Sequence, residues 1–288
     1  MIEEIAELRL AQEDGGLPTI FAAGGAPGES GVIVVTARFR GGMHINATPR
    51  RHHICFQISE QSRFACRIGD QALSHEPRSG SFAICPAGID YAADAAGTLD
   101  AVLVAIDPRK LALAAAEDAT IEPQLVERLS GYDQALLDLG RKLAGENAGS
   151  YPTGALFWNE VAGAFVDGLI TRHTVAPRSR ARGALGKDVI KRLRDYIIAH
   201  LDEPIDVTKL ANIAGRSPFH FTRVFARSVG TTPHRYVVHL RLRRAIELIR
   251  DERRGLAEAA AQTGFADQSH LSRWVRRVHG ASLSELVA

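Results

Sequence analysis

Residues 217–232 read SPFHFTRVFARSVGTT, and fifty positions later the chain reads DQSHLSRWVRRVHGAS, with no gap needed to align the two. His220 pairs with His270, Phe221 with Leu271, Arg223 with Arg273, Phe225 with Val275, Arg227 with Arg277, Gly230 with Gly280, and Thr232 with Ser282. Repetition at a fixed offset means that one supersecondary unit is used twice. The C-terminal third must therefore fold as two like units held a set distance apart.

Each copy predicts a helix. Ser217 and Asp267 are N-cap residue types, Pro218 suits a first helical position, and a glycine ends each run. At 100° per residue, Phe221, Val224, Phe225 and Ser228 share one face, with Phe219, Thr222, Arg223 and Ala226 opposite. The second copy sorts Leu271, Trp274, Val275 and Val278 inward, and Ser269, Ser272, Arg273 and Arg276 outward. A shorter apolar helix precedes each: 207–214, capped by Asp206 and turning at Gly215, and 256–263, turning at Gly264. A short helix, a glycine turn and a second helix with a basic outer face make the helix-turn-helix pattern, whose second helix can enter the major groove. Between the units, residues 233–250 predict one continuous helix of roughly 27 Å at 1.5 Å per residue. One turn of B-DNA is about 34 Å, so a rigid spacer of this length suits two successive major grooves.

On these residues, 187–288 resembles the DNA-binding domain of the AraC/XylS family of bacterial transcription regulators. The matching text is LANIAGRSPFHFTRVFARSVGTTPHRYVVHLRLRRAIELI followed by AAAQTGFADQSHLSRWVRR. The resemblance implies base contacts from Phe219, Thr222, Arg223, Ser269, Ser272 and Arg273. It places His220, Arg227, Gln268, His270, Arg276 and Arg277 against phosphates or the groove edge. It also implies a double-stranded operator, a contact with RNA polymerase, a homodimer and control by a small molecule. The chain departs from the family pattern at Val275, Ser282 and Leu283, where a phenylalanine and a Thr-Pro pair are usual.

Charge agrees with such a division of labour. From Lys187 onward 18 Lys and Arg face 11 Asp and Glu, while the preceding residues hold the other 17 and 22. A basic half beside an acidic half suits one part that meets a polyanion and one that does not. The first residues, MIEEIAELRLAQEDGG, read as an acidic amphipathic helix over 2–11 and not as a secretory signal; no run of about 18 apolar residues suggests a membrane span. A cytoplasmic protein is expected, with Cys55, Cys66 and Cys85 as reduced, buried thiols.

Upstream, 15–31 reads as a glycine-rich loop. Segments 32–39, 54–58, 63–68, 80–85 and 99–106 are short runs of β-branched and aromatic residues between turn formers, the pattern of a barrel or jelly roll. The stretch GSFAICPAG, 80–88, resembles the second motif of the cupin superfamily. Cupins often hold a metal on neighbouring histidines, a glutamate and a later histidine. Here His44, His52, His53, His75 and Glu76 lack that spacing, and Tyr91 stands about where the later histidine would fall, so neither metal nor cofactor is expected. Arg38 with Arg40, and Arg63 with Arg67, share strand faces; turned inward, either pair would anchor a carboxylate or phosphate of an effector, while the ordinary place for an arginine without a buried partner is the solvent face.

Segments 111–117, 123–143 and 153–171 read as helices, the second with a stripe of Leu125, Leu129, Leu136, Leu139 and Leu143 for packing or dimerisation. The expected fold class is α+β: a cupin-like regulatory barrel over 1–112, a helical segment over 113–173, a linker over 174–186, and an all-α double helix-turn-helix domain over 187–288. Two rival functions are a cupin metal-dependent oxygenase or isomerase with a DNA-tethering tail, and a cysteine redox sensor.

Overall fold

The computed structural model describes residues 11–12, 18–25, 30–40, 42–60, 63–117, 123–148, 152–175, 184–280 and 282. The chain is α+β. Its N-terminal part is a pair of antiparallel sheets. One has the order β1 (Ala11–Gln12), β4 (Met43–Ala47), β9 (Tyr91–Ala95), β6 (Phe64–Ile68), β7 (Gln71–His75). The other has the order β12 (Arg128–Tyr132), β8 (Ser81–Cys85), β5 (His52–Gln57), β10 (Leu99–Ile106), β3 (Val32–Phe39), β2 (Thr19–Gly24). Of the barrel or jelly roll that the sequence suggests, the described residues form this two-sheet arrangement. The Pro86–Gly88 turn carries the chain from β8 in one sheet to β9 in the other. Gly88 takes φ +80° there and its N–H donates to the Pro49 carbonyl at 2.8 Å.

The six-stranded sheet is covered on both faces, which is why β3 and β10 are almost continuously apolar. Val35, Phe39, Leu99 and Leu103 face the five-stranded sheet. Val34, Phe56, Ile84 and Val104 face three helices: α1 (Pro108–Glu117), α2 (Gln134–Ala148) and α3 (Ala155–His173). Asn147 clamps α2 to that sheet, donating to the Gly24 and Val34 carbonyls at 2.9 and 3.1 Å and accepting from the Trp158 indole at 3.1 Å. The five-stranded sheet alternates buried and exposed residues, as a sheet with one wet face should.

Several sequence expectations change here. The loop assigned to 15–31 contains β2, and the helix assigned to 2–11 lies outside the described residues except for Ala11, which is in β1. The helix assigned to 123–143 begins only at Gln134. Before it come β11 (Gln124–Leu125) and β12, interrupted by Gly131, and Asp133 starts the helix by accepting from the Leu136 N–H at 3.0 Å. Leu136 and Leu143 are spent on the chain's own core, and Leu129 packs in the intersheet core, so the leucine stripe is not a free dimer face. The supposed linker is ordered at both ends. Thr174–Val175 forms β13 against β11, and Leu185 is buried, its N–H donating to Ser228 at 3.0 Å.

The C-terminal part is helical: α4 (Lys187–Ala199), α5 (Val207–Ile213), α6 (Pro218–Val229), α7 (Pro233–Arg250), α8 (Leu256–Gln262) and α9 (Gln268–His279). Two cores divide it. Ile190, Leu193, Leu210, Phe221, Phe225 and Tyr236 fill the first; Leu242, Ile249, Ala259, Phe265, Leu271 and Val275 fill the second. Each core is also capped from the N-terminal part, by Ala116 of α1 and by Leu156 of α3. The Tyr236 hydroxyl donates to the Ala116 carbonyl at 3.1 Å, Asn159 donates to the His279 carbonyl at 2.8 Å, and Arg250 pairs with Glu160.

Acid should loosen the sandwich before its carboxylates titrate. Burial pushes His52 and His53 down to about 4, with Asp107 opposing the shift at His52 while His52 and Arg51 reinforce it at His53. Such groups bind protons more readily unfolded, so their stability is complete above about pH 6.5 and is lost as pH falls toward 4. Urea midpoints should drop between pH 7.5 and 5 by about 1–3 kcal/mol of unfolding free energy, and His52→Gln should flatten the slope.

Candidate nucleic-acid interface

Each unit is built by local chemistry. Asp206 opens α5 by accepting from the Thr208 N–H at 3.0 Å, and Gly215 turns the chain at φ +63°. Pro218 then opens α6. The Ser217 hydroxyl makes no capping bond, contrary to expectation; Ser217 is exposed, where water can serve the first N–H groups. In the second unit Asp267 does cap, accepting from the His270 N–H at 2.7 Å. Both second helices end on a left-handed glycine, Gly230 at φ +75° and Gly280 at φ +66°. Thr232 opens the spacer α7 by accepting from the Arg235 N–H at 3.4 Å.

The repeat is not uniform. α6 and α9 are fifty positions apart, whereas α5 and α8, and the turn glycines Gly215 and Gly264, are forty-nine apart. The second turn therefore holds one more residue than the first. Gly264 is also the tighter position: a Cβ there would lie 2.2 Å from the Leu201 carbonyl and meet the Arg241 guanidinium.

The outward positions stand as follows. Phe219 is 82% exposed, an unusual place for a large apolar ring, and His220, Arg223 and Arg227 are exposed beside it. Thr222 is half-buried, with its hydroxyl donating back to the Pro218 carbonyl at 2.9 Å. On α9, Gln268, Ser269, Arg273, Arg276 and Arg277 are exposed, and the Ser272 hydroxyl repeats the back-bond, to the Gln268 carbonyl at 2.8 Å. Bonds of this kind leave the hydroxyl oxygens able to accept but hold their protons. The Arg277 guanidinium lies 5.2 Å from the Trp274 ring centre, a cation–π contact that fixes its stem. No carboxylate pairs with Arg223, Arg227, Arg273 or Arg276 among the described residues.

His270 does not fit the groove-edge role. It is half-buried, edge-on to Phe265, with Nδ1 beside the Ala266 N–H at 3.3 Å and Nε2 beside the Trp274 indole N–H at 3.0 Å. A neutral imidazole accepts at only one nitrogen, so the ring is engaged whichever tautomer it takes. It braces the turn.

The effector arginines also need correction. Ala37, Phe39, Phe64, Cys66 and Ile68 point into the space between the sheets, so alternation sends Arg38, Arg40, Arg63 and Arg67 the other way. Arg38 makes a bidentate pair with Asp100 at 2.6 and 2.8 Å, and Arg67 donates to the Gly69 carbonyl at 3.2 Å. The intersheet cavity is small, about 50 Å³, and apolar apart from His53, Tyr91 and the three thiols. Burial pushes Cys55 up to about 12, Cys66 to about 11 and Cys85 to about 12, so the sulfurs are protonated and poorly nucleophilic at neutral pH. His44 pairs with Asp94 on the surface, His52 accepts from the Ala87 N–H, and His75 packs on Phe64. Among the described residues no three His, Cys, Asp or Glu side chains converge to hold a metal, and no helix is long and apolar enough to cross a membrane.

A helix-turn-helix domain defines a DNA-binding class of protein. Residues 210–288 match the family model described as a helix-turn-helix domain. Over 88 residues the chain is 36% identical to "Probable transcriptional regulator LumQ" of Photobacterium leiognathi, covering 31% of this chain and 36% of that protein. It is 34% identical over 82 residues to the HTH-type transcriptional regulator GbdR of Pseudomonas aeruginosa, covering 28% of this chain and 22% of that one. Among solved structures, the DNA-binding domain of AdpA in complex with a target DNA matches with 28% identity and a TM-score of 0.31, over 33% of this chain and 85% of that one. The chain thus spans about a third or less of the length of these curated relatives. Residues 210–288 thus carry a helix-turn-helix domain similar to that of AraC-type transcription regulators.

The unequal turns make a stability contrast. Gly264→Ala should lower the melting temperature clearly more than Gly215→Ala, since a Cβ at Gly215 meets nothing within 4 Å and costs only the left-handed strain of about 1–2 kcal/mol. Differential scanning calorimetry of the two variants checks this, and equal losses would mean that the Leu201 carbonyl yields freely.

Proposed function

We propose that the chain is a sequence-specific, non-catalytic transcription regulator of the cytoplasm whose α6 and α9 enter two successive major grooves. One observation carries this reading. Two exposed basic faces, whose opposite sides pack into the two cores, are tied together by a single 18-residue helix, about 27 Å long against a DNA turn of about 34 Å. Phe219, Thr222 and Arg223 on α6, with Ser269, Ser272 and Arg273 on α9, are the base readers. His220, Arg227, Gln268, Arg276 and Arg277 touch phosphates or the groove edge. Homodimerisation through the N-terminal part, a contact with RNA polymerase and control by a small molecule complete the proposal.

The test begins with an operator selected by the purified protein from random DNA. Arg223→Ala should cost about 1–3 kcal/mol on that operator and much less on random sequence, because a bidentate arginine reads guanine. An equal loss on both would reduce Arg223 to a phosphate contact. Phe219 can contact only a thymine methyl or a base face. Replacing the relevant thymine by deoxyuridine should weaken the wild type and leave Phe219→Ala unaffected.

Arg276→Ala should weaken operator and random DNA alike. It should also reduce the slope of log affinity against log salt by about one. Titrations at four salt concentrations measure it, and a changed preference at a single base pair would assign Arg276 to reading instead.

A further inference from the structure

The turn of the second unit does not hang on α7 alone. Gly264 lies against the loop 200–206, which joins α4 to α5, so closely that a Cβ on it would come within 2.2 Å of the Leu201 carbonyl. Both sides of this crossing are anchored: Leu201 is buried in the first core, and Phe265, next to Gly264, in the second. Arg241 of the spacer reaches the same point. Its Nη2 donates to the Glu203 carbonyl at 2.6 Å and its Nη1 to the Gly264 carbonyl at 3.0 Å. One side chain of α7 thus grips the main chain of the loop that leads into the first unit and of the turn inside the second.

The guanidinium is held there against its preference for water. Burial pushes its pKa down, with Asp202 opposing, and among the described residues no carboxylate hydrogen-bonds to it and its Nε–H has no partner. What the position gives in return is direction. Charge-assisted hydrogen bonds are shorter and stronger than neutral ones, and they weaken steeply when misaligned. The apolar contacts that join α7 to each core are non-directional, so they resist a large rotation of a unit better than a small one.

We propose that Arg241 is a positioning residue that sets the distance and twist between the two reading helices, and with them the number of base pairs separating the two boxes of an operator. It acts through the main chain at Glu203 and Gly264 and not on DNA. Only Phe265, Ala266 and Asp267 stand between Gly264 and α9, so a shift at the crossing passes directly to the second reader. One base pair added between the boxes displaces the second by about 3.4 Å and turns it by about 35°. A brace that allows less than this makes spacing part of specificity. That consequence rests on the DNA-reading proposal; the bracing itself does not.

The test uses the full chain with Arg241→Gln and Arg241→Lys. Gln removes the charge and the fork, whereas Lys keeps the charge but is a point donor without the planar fork that reaches two carbonyls. Glu203 is exposed, so water can serve its carbonyl and both variants should keep the wild-type circular dichroism; Arg241→Lys decides the question if Arg241→Gln melts too low. Without DNA, spin labels on Thr208→Cys in α5 and Ala257→Cys in α8, both exposed positions, report the distance between the units by pulsed electron resonance. The native thiols are protonated and poorly nucleophilic, which directs the label to the introduced pair. The distance distribution should be narrow with Arg241 and at least about twice as wide in both variants, as expected when directional bonds are lost. With DNA, the operator that the wild type selects from random sequence is compared with the same operator lengthened by one base pair between its boxes. The wild type should lose about 10–100-fold in affinity, the scale of a mismatched base pair, and both variants no more than about threefold. An unchanged width, an unchanged spacing penalty, or full rescue of both by Arg241→Lys would overturn the proposal. If the wild type selects no two-box operator, the DNA-reading proposal fails while the distance distributions still decide the bracing.

Discussion

The helical part depends on one element burying two different faces. Tyr236, Val237 and Leu240 of α7 go into the first core, and Val238, Leu242, Ala245, Leu248 and Ile249 into the second. A helix that gave only one stripe to a core would leave one unit tethered but free to turn. With two stripes, rotating either unit about α7 exposes apolar side chains, so the spacing and the relative twist of α6 and α9 are held by the same hydrophobic term. The N-terminal part adds a clamp at each end, through Tyr236 to Ala116 and through Asn159 to His279.

Legibility in the sequence followed burial. β3 and β10, covered on both faces, are written as unbroken apolar text and were readable to within a residue or so. β4, β7 and β9 read MHINA, QALSH and YAADA, with small or polar residues on their wet faces, and nothing local separates them from loops. The error over 123–132 has a different source. Leucines there fall at helical spacing by chance, while Pro123, Gly131 and the Asp133 cap delay the helix until Gln134.

The candidate interface was legible because it is local: caps, glycine turns and the inner face of each helix are set by residues a few positions apart. What could not be read was anything assembled across the chain. The inward or outward sense of Arg38 and Arg67 depended on which face of their sheets met the other sheet. His270 looked like one of a pair with His220, yet an indole and a ring on its own side of the turn claimed it.

The extra residue in the second turn means that the two units, though copies by descent of pattern, are not interchangeable parts. α9 starts one residue further from its turn glycine than α6 does, and it presents Ser269, Arg273, Arg276 and Arg277 where α6 presents an exposed Phe219 with Arg223, Ala226 and Arg227. A molecule with unlike ends has a direction. Laid along a duplex in the proposed manner, it would distinguish upstream from downstream without any help from a second copy, so that a single bound chain would already be an arrow.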